Sequence, residues 1–431
     1  MLRLCVIIPV FNVERYLQEC LESCLNEDLT NIEVIVIDDG SSDKSLEIAK
    51  EYARKHKNLL VINKPNAGLS SARNAGLEVL SGTPLRAFLD SMPIESKTLK
   101  STLDLTPIDS KANTTNPSFK LHKDLNKHFQ RLEENIYQTN IANFNDISLA
   151  KLPSDVVVHF LDSDDYFIND ALKNTARLFK DESLDLVFSD HFAFQEGNIK
   201  GFVAGNRTDL NALKTYIADL YVEPGEVLKY LFKSMFWWSC SGAFRASVLN
   251  PYALRFSMAI ENEDVGFGSI IFSLASKIYL DYSPRLAYRV NSNSISHSAS
   301  NVFKLPTMPA YLKELDSYFK TYADLKYYYK THSFITICES FYNFQESLKD
   351  TSLKMLYIEN IRIILKAVSK RLDFKKLKFA DPKKLAKRFD ALCKETDLKT
   401  KAFAMKRYAL KHRYKDIKDS FKALRRQAQT N

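Results

Sequence analysis

Three carboxylates within four positions, Asp162, Asp164 and Asp165, follow directly on the apolar run Val156-Val157-Val158-His159-Phe160-Leu161, with no basic residue among them. Such a cluster repels itself unless a cation sits beside it, and hard oxygen ligands suit Mg2+ or Mn2+ bound together with phosphate. The apolar run predicts a strand buried on both faces, as inside a parallel sheet. Open α/β sheets bind ligands at the carboxyl ends of their strands, which is where the cluster falls. Taken alone, the cluster reads equally well as a helix N-cap followed by a solvated acidic turn.

The elements that must position it begin at the N-terminus. Leu4-Cys5-Val6-Ile7-Ile8-Pro9-Val10 reads as a buried strand, with Pro9 near its end where a lost N–H is tolerable. Asn12 is then expected to cap a helix whose apolar positions are Val13, Tyr16, Leu17, Cys20, Leu21, Cys24 and Leu25. A second buried strand over residues 33–37 ends on Asp38-Asp39-Gly40-Ser41-Ser42-Asp43. A helix with Leu46, Ala49, Tyr52 and Ala53 on one side and a short strand from Leu59 to Ile62 complete a β-α-β-α-β order. That order predicts a parallel sheet with right-handed crossovers. A dinucleotide dehydrogenase is excluded, because Pro-Val-Phe-Asn stands where G-x-G-x-x-G is needed for the pyrophosphate. Downstream, Arg73 lies one turn into a helix entered from Asn66-Ala67-Gly68. There it suits a diphosphate or, equally, an ion pair with Asp38 or Asp39.

Val-Ile-Ile-Pro-Val-Phe-Asn, Val-Ile-Asp-Asp-Gly-Ser-Ser-Asp, Asn-Ala-Gly-Leu-Ser-Ser-Ala-Arg-Asn-Ala-Gly and Phe-Leu-Asp-Ser-Asp-Asp-Tyr occur in that order. In them the chain resembles family 2 glycosyltransferases of the GT-A fold, over residues 4–80 and 156 to about 298. The resemblance implies inverting transfer from a nucleotide-sugar, usually UDP-linked, with a divalent metal, Mn2+ or Mg2+. It implies that Asp38 and Asp39 hold the uracil and ribose, with Pro9, Phe11, Arg73, Asp162 and His297 also on the donor. Asp164 and Asp165 fall to the metal. In Ile260-Glu261-Asn262-Glu263-Asp264 the family's general base falls on Asp264, with Glu263 as the alternative. Inverting transfer needs one such carboxylate and no covalent intermediate. A helix N-terminus enriched in acids by its dipole is the plainer reading of that pair. Arg289 and His297 fall in what resembles the family's loop after the last core strand, where either could reach the diphosphate or metal, and His297 reads equally well as a plain surface histidine.

The chain departs from the family in spacing. Residues 83–155, polar and with Pro84, Pro93, Pro107 and Pro117 in their first half, separate Gly82 from the carboxylate strand. Within them Phe88-Leu89-Asp90-Ser91 repeats Phe160-Leu161-Asp162-Ser163 but continues as Met92-Pro93, so Asp90 reads as a decoy. The apolar spacing Leu121, Leu125, Phe129, Leu132, Ile136 suggests a helical hairpin in a partly ordered surface insertion over the donor cleft. Further on, Trp237 and Trp238 stand side by side. Aromatic faces stack on sugar rings, so the pair suits an acceptor platform, and buried core is an equally good reading for one of them.

The expected class is thus α/β: a GT-A mostly parallel sheet flanked by helices over residues 1–300, with the 83–155 insertion, then a helical C-terminal domain over 301–431. In that last domain Leu353, Tyr357, Ile361, Ile364, Leu365 and Val368 keep helical spacing. Residues 361–430 hold 23 Lys and Arg against 7 Asp and Glu, while the whole chain is only +9. A basic helical tail with interleaved Phe379, Leu385, Phe389, Phe403 and Leu410 suits an anionic membrane surface. A solvated helical face is the plainer alternative, and no nucleic-acid recognition module is visible. With no apolar run long enough to span a bilayer, no signal peptide and six scattered cysteines read as core thiols, a cytoplasmic, membrane-peripheral chain is expected. Its partners are a nucleotide-sugar and a glycan or lipid-linked acceptor, in bacterial surface polysaccharide or lipopolysaccharide assembly. The rival reading is a catalytically silent sugar-nucleotide-binding or membrane-scaffolding protein.

Overall fold

The N-terminal apolar run forms β1 (Arg3–Val10), buried from its second residue onward. In a computed structural model of the chain, which describes residues 2–27, 29–95, 99, 105–197, 203–233, 235–290, 310–319, 321–371 and 381–398, this strand lies inside a twelve-stranded sheet. β2 (Ile32–Asp38) flanks it in parallel, with Val10 opposite Asp38, and β3 (Leu59–Asn63) lies beyond. The connections are the helices α1 (Leu17–Leu25), α2 (Ser45–Lys55) and α3 (Leu69–Glu78). Gly76 of α3 lies against Ile7: a Cβ there would be 2.3 Å from an Ile7 methyl, so the helix can sit this close to β1 only with glycine. Asn12 does not cap α1, which starts at Leu17 after Tyr16. Its left-handed backbone (φ 54°) turns the side chain toward the loop after β2. There its Oδ1 accepts from Ser42 N (2.7 Å) and Ser42 Oγ (3.2 Å), joining the ends of the two strands.

The insertion is not a helical hairpin. It opens with the short helix α4 (Pro84–Ser91), capped by Thr83 Oγ1 and started by proline. Then β4 (Phe129–Glu133) and β5 (Ile136–Thr139) join the sheet beyond β3. Ile136 pairs in parallel with Val61, and Val61 N donates to Asn135 O. The four-residue spacing of Leu121, Leu125, Phe129 and Leu132 imitated a helix. The unpaired N–H and C=O groups along the free edge of β3 drew the segment into a strand instead. Phe129, Ile141, Phe144 and Ile147 are buried, so this part belongs to the core. The fully buried pair Glu78–Arg255 (2.8 Å) stitches the returning chain to α3, since Glu78 Oε2 also accepts from Ser148 Oγ and Ala150 N. Left half-satisfied, such a buried pair would be costly.

On the other side of β1, β6 (Val156–Phe160) runs parallel, with Ile7 opposite Phe160, and every residue of it is buried. β7 (Leu186–Gln195), β8 (Gly242–Arg245) and β9 (Ile278–Val290) extend the sheet in the spatial order β9-β7-β8-β6. The carboxyl ends of β1, β2, β3 and β6 therefore open on one edge. All six cysteines are buried and free, as core thiols should be.

Helix α5 (Glu263–Leu274) lies behind that edge. The C-terminal helices α6 (Tyr322–Ser347), α7 (Thr351–Arg371) and α8 (Leu385–Glu395) pack on one another, α6 also against α5. Hydrogen bonds fix the contact: Glu261 N donates to Ser333 Oγ (2.9 Å) and Tyr357 Oη to Ser269 O (2.7 Å). Among the described residues no helix is long and apolar enough to cross a membrane. The basic tail beyond residue 398, and Phe379, Phe403, Leu410 and His297 with it, lie outside the described residues.

Candidate active site

β6 delivers the carboxylates. Leu161 N still bonds to Ile7 O (3.1 Å), then the chain turns, with Asp165 N donating to Asp162 O (3.0 Å). The three side chains meet different neighbours. Asp162 Oδ1 accepts from Arg73 (2.7 Å). Asp165 is buried; its Oδ1 accepts from Arg289 N (2.7 Å), and its Oδ2 has no partner among the described residues. Burial, and then the charge of Asp162, push the Asp164 carboxyl up to about 6. Burial followed by Asp164 and Asp162 raises Asp165 well above the usual carboxylate range. Negative charge is thus under-compensated here. Among the described residues no three acidic, His or Cys side chains group as a complete metal cage. An orphaned buried oxygen beside a half-buried carboxyl nevertheless fits a hard cation that takes its other ligands from phosphate and water. Arg289 braces the turn from β9: its Nε donates to Asp164 O (2.8 Å) and its Nη2 to Glu19 (2.5 Å).

Arg73 pairs with neither Asp38 nor Asp39. The helix carries it across the sheet edge, where Nη2 meets Asp162 and Nη1 meets Glu263 Oε1 (2.8 Å). It is 2% exposed, stacks over Phe256 and also approaches Cys240 Sγ at 3.7 Å. One guanidinium therefore joins the carboxylate turn to the acidic start of α5. Asn262, left-handed at φ 60°, precedes the helix whose first turn holds both acids. Burial pushes Glu263 up while Arg73 pulls against it. Asp264 makes no side-chain hydrogen bond among the described residues, and burial, then the Glu263 charge, raise it to about 7. An acid held by an arginine and a free acid near neutral pKa stand side by side, and only the second is suited to exchange a proton. Gly268 keeps α5 against the tryptophan pair, since a Cβ there would lie 2.7 Å from Trp238 O.

On the far side of β1 the Asp38–Asp39 pair also divides. Asp39 is filled: Lys64 Nζ, Ala67 N (3.0 Å) and Gly68 N (2.8 Å) all donate to its carboxylate. Asp38 accepts from Ser41 N (3.2 Å), and its buried Oδ1 has no partner among the described residues. Phe11 is 43% exposed at the same edge, whereas Pro9 is buried within β1. Lys64 was missed in the sequence. The signal was there: a lysine just past the end of the strand that must neighbour the one ending in Asp38. Arg207, Asp190 and His191 were also missed; they surround the tryptophans and had no motif to mark them.

Residues 5–91 match the family described as Glycosyl transferase family 2. That match spans about a fifth of the chain, and the fold is the GT-A type. Glycosyltransferase GlyA of Streptococcus pneumoniae is 47% identical over 89 residues, 21% of this chain and 13% of that protein. The minor teichoic acid biosynthesis protein GgaB of Bacillus subtilis is 48% identical over 88 residues, 20% of this chain and 10% of the relative. The chain thus aligns with well under two thirds of the length of either. The crystal structure of S. aureus TarS 1-349 superposes on 92% of this chain and 82% of its own at a TM-score of 0.50 and 16% identity, a likeness of fold. The family match stops at Ser91, the last residue of the Phe88–Ser91 repeat, whereas the carboxylates that share an edge with β1 begin 71 residues further on.

Proposed function

We propose that the chain is an inverting glycosyltransferase that moves a hexosyl or N-acetylhexosaminyl group from a UDP-sugar to a glycan or lipid-linked acceptor, in assembly of a bacterial surface polysaccharide or lipopolysaccharide. The observation that carries this reading is the contrast between Glu263, tied to Arg73, and its free neighbour Asp264, across the edge from Asp162, Asp164 and Asp165. The acceptor oxygen attacks the anomeric carbon and forms the new glycosidic bond, while the bond from that carbon to the diphosphate oxygen breaks. The hydroxyl proton passes to Asp264, and the electron pair leaves on the diphosphate. Arg73 ties Glu263 in place, so Asp264 remains the free carboxylate that can take the proton. Asp38 offers its free oxygen to an N–H of the nucleotide base, while Asp39 and Lys64 hold the loop beneath it. Asp164 and Asp165 would hold Mn2+ or Mg2+, which when bound neutralises charge on the diphosphate. The name of the teichoic acid relative supports a surface polymer as the setting.

The first experiment incubates the full chain with a panel of UDP-sugars and Mn2+ and measures UDP release. Slow hydrolysis of one donor is expected. Binding of donors with no release of UDP from any would favour the silent sugar-nucleotide-binding reading. The reading also puts the chain at the inner face of the cytoplasmic membrane, since residues 399–431 hold 11 Lys and Arg against 2 Asp. At ~1 kcal/mol per basic residue near anionic headgroups that charge suffices for adsorption. Full-length protein should sediment with anionic liposomes and be released as salt rises, and a chain ending at Leu398 should stay in solution. Equal sedimentation of the two would leave the tail a solvated face. The cut belongs at Leu398, because Ile361, Ile364, Leu365 and Val368 of α7 are buried in the body.

A further inference from the structure

Trp237 is 36% exposed and adjoins Trp238, which bonds to the backbone of the proposed base. The buried Arg207 lies over its ring, 4.0 Å from the centroid, and donates to the Trp237 carbonyl oxygen. Arg207 is itself clamped by both oxygens of Asp209 (2.6 and 2.9 Å) and by Ser241 Oγ (3.2 Å). Beneath it the fully buried Asp190 accepts from Arg207 N and His191 N, each at 2.8 Å, and from Asn206 (2.7 Å). The His191 ring is stacked 5.8 Å from Trp237 at 28°, and Tyr288 lies 5.2 Å from His191 and 6.4 Å from Trp237. The next residue, Trp238, bonds through its N–H to Asp264 O (3.4 Å). Burial, and then the charges of Asp165, Asp162, Asp164 and Asp264, hold the Tyr288 hydroxyl above its ordinary range.

We infer that Trp237 and Tyr288, backed by the buried His191, form the wall on which the acceptor's terminal sugar rests, and that this unit is a pyranoside, not an acyclic polyol phosphate. The inference rests on the transferase reading, since it takes Asp264 as the group that receives the acceptor's proton. A pyranose presents a flat patch of C–H bonds to an aromatic face and keeps its hydroxyls at the rim. An acyclic polyol phosphate has no such face and brings negative charge toward four carboxylates. The wall holds no spare cation for a phosphate among the described residues. Arg207 is paired with Asp209, and burial followed by Arg207 pushes His191 down to about 4, so it is neutral at physiological pH. With Arg207 over its ring and bonded to its backbone carbonyl, Trp237 has less side-chain freedom left to lose on binding.

Trp237 and Trp238 are the only tryptophans, and Trp238 is fully buried. Acrylamide quenching of tryptophan emission in the full-length protein therefore reports on Trp237. With UDP and Mn2+ present, methyl pyranosides of glucose, galactose, N-acetylglucosamine and N-acetylgalactosamine are titrated, against ribitol 5-phosphate and glycerol 3-phosphate. At least one pyranoside should lower quenching saturably and the polyol phosphates should not. Trp237→Leu should raise the KM for that pyranoside as acceptor about tenfold, the scale of one lost stacking contact, and Trp237→Phe less. Protection by ribitol 5-phosphate alone, or by none of the probes while a UDP-sugar is hydrolysed, overturns the inference and leaves the transferase reading standing. Pyranoside protection with no hydrolysis of any UDP-sugar supports the sugar wall and removes the transferase reading.

Discussion

Phe88-Leu89-Asp90-Ser91 closes helix α4, while Phe160-Leu161-Asp162-Ser163 carries β6 out of the sheet into the acidic turn. Four identical residues differ in fate because their flanks differ. Thr83 and Pro84 start a helix before the first copy, and three valines commit the second to a buried strand. The ends differ as much. Asp90, with its side chain 54% exposed, pairs with Arg86 one helical turn back. Asp162 pairs with the buried Arg73, and through it with Glu263, 190 residues from Arg73 in the chain. An aspartate becomes part of a site through the cation it meets and what else that cation holds.

The comparison can be broken in several ways. The largest effect is expected at the far end of the second copy's network. Asp264→Asn should lower the rate of transfer by roughly 10²–10⁴, the usual contribution of a positioned base, with donor affinity near wild type. Equal loss of UDP-sugar affinity, measured by calorimetry, would put Asp264 on the donor. Next, Arg73→Met strands the buried Glu263 and the part-buried Asp162 and should cost about 3–5 kcal/mol of stability in denaturant unfolding. A cost below about 1 kcal/mol would mean that Asp162 and Glu263 do not depend on it, as expected for an ordinary exposed pair.

A smaller effect lies in the pH profile. Asp264 must be ionised to accept a proton, and it sits at about 7, so kcat/KM should fall as pH drops below that value. Glu263→Gln removes a charge that raises Asp264 and should move the acid limb to lower pH. An unmoved limb would uncouple the two. The smallest effect belongs to the first copy: Asp90→Ala should leave UDP release unchanged and shift stability by no more than about 0.5 kcal/mol. Loss of activity there would transfer the working carboxylate to the family match that ends at Ser91.

β1, β2 and β6 were legible because each is a short, nearly unbroken apolar run ending on polar residues, and central parallel strands read that way. The Asp162–Asp165 turn and the Glu263-Asp264 pair were legible as motifs. β4 and β5 were not, because what makes them strands is the open edge of β3, a demand made from some 70 residues away in sequence. The partners of Arg73 were hidden for the same reason: Asp162 and Glu263 are 89 and 190 residues off. Arg207 and Asp190 gave no signal, since their bonds depend on how the segment after β7 folds back over its own start.

The place of β1 in the sheet bears on how the chain is made. One neighbour, β2, leaves the ribosome soon after it, but the other, β6, is not complete until residue 160. Until then an eight-residue apolar strand has one bare edge, open to pairing with any other extended segment nearby. The 83–155 insertion alone adds roughly 4–15 s to that interval at translation rates of ~5–20 residues per second. A nascent chain of this protein keeps that edge bare for longer than one whose two halves adjoin.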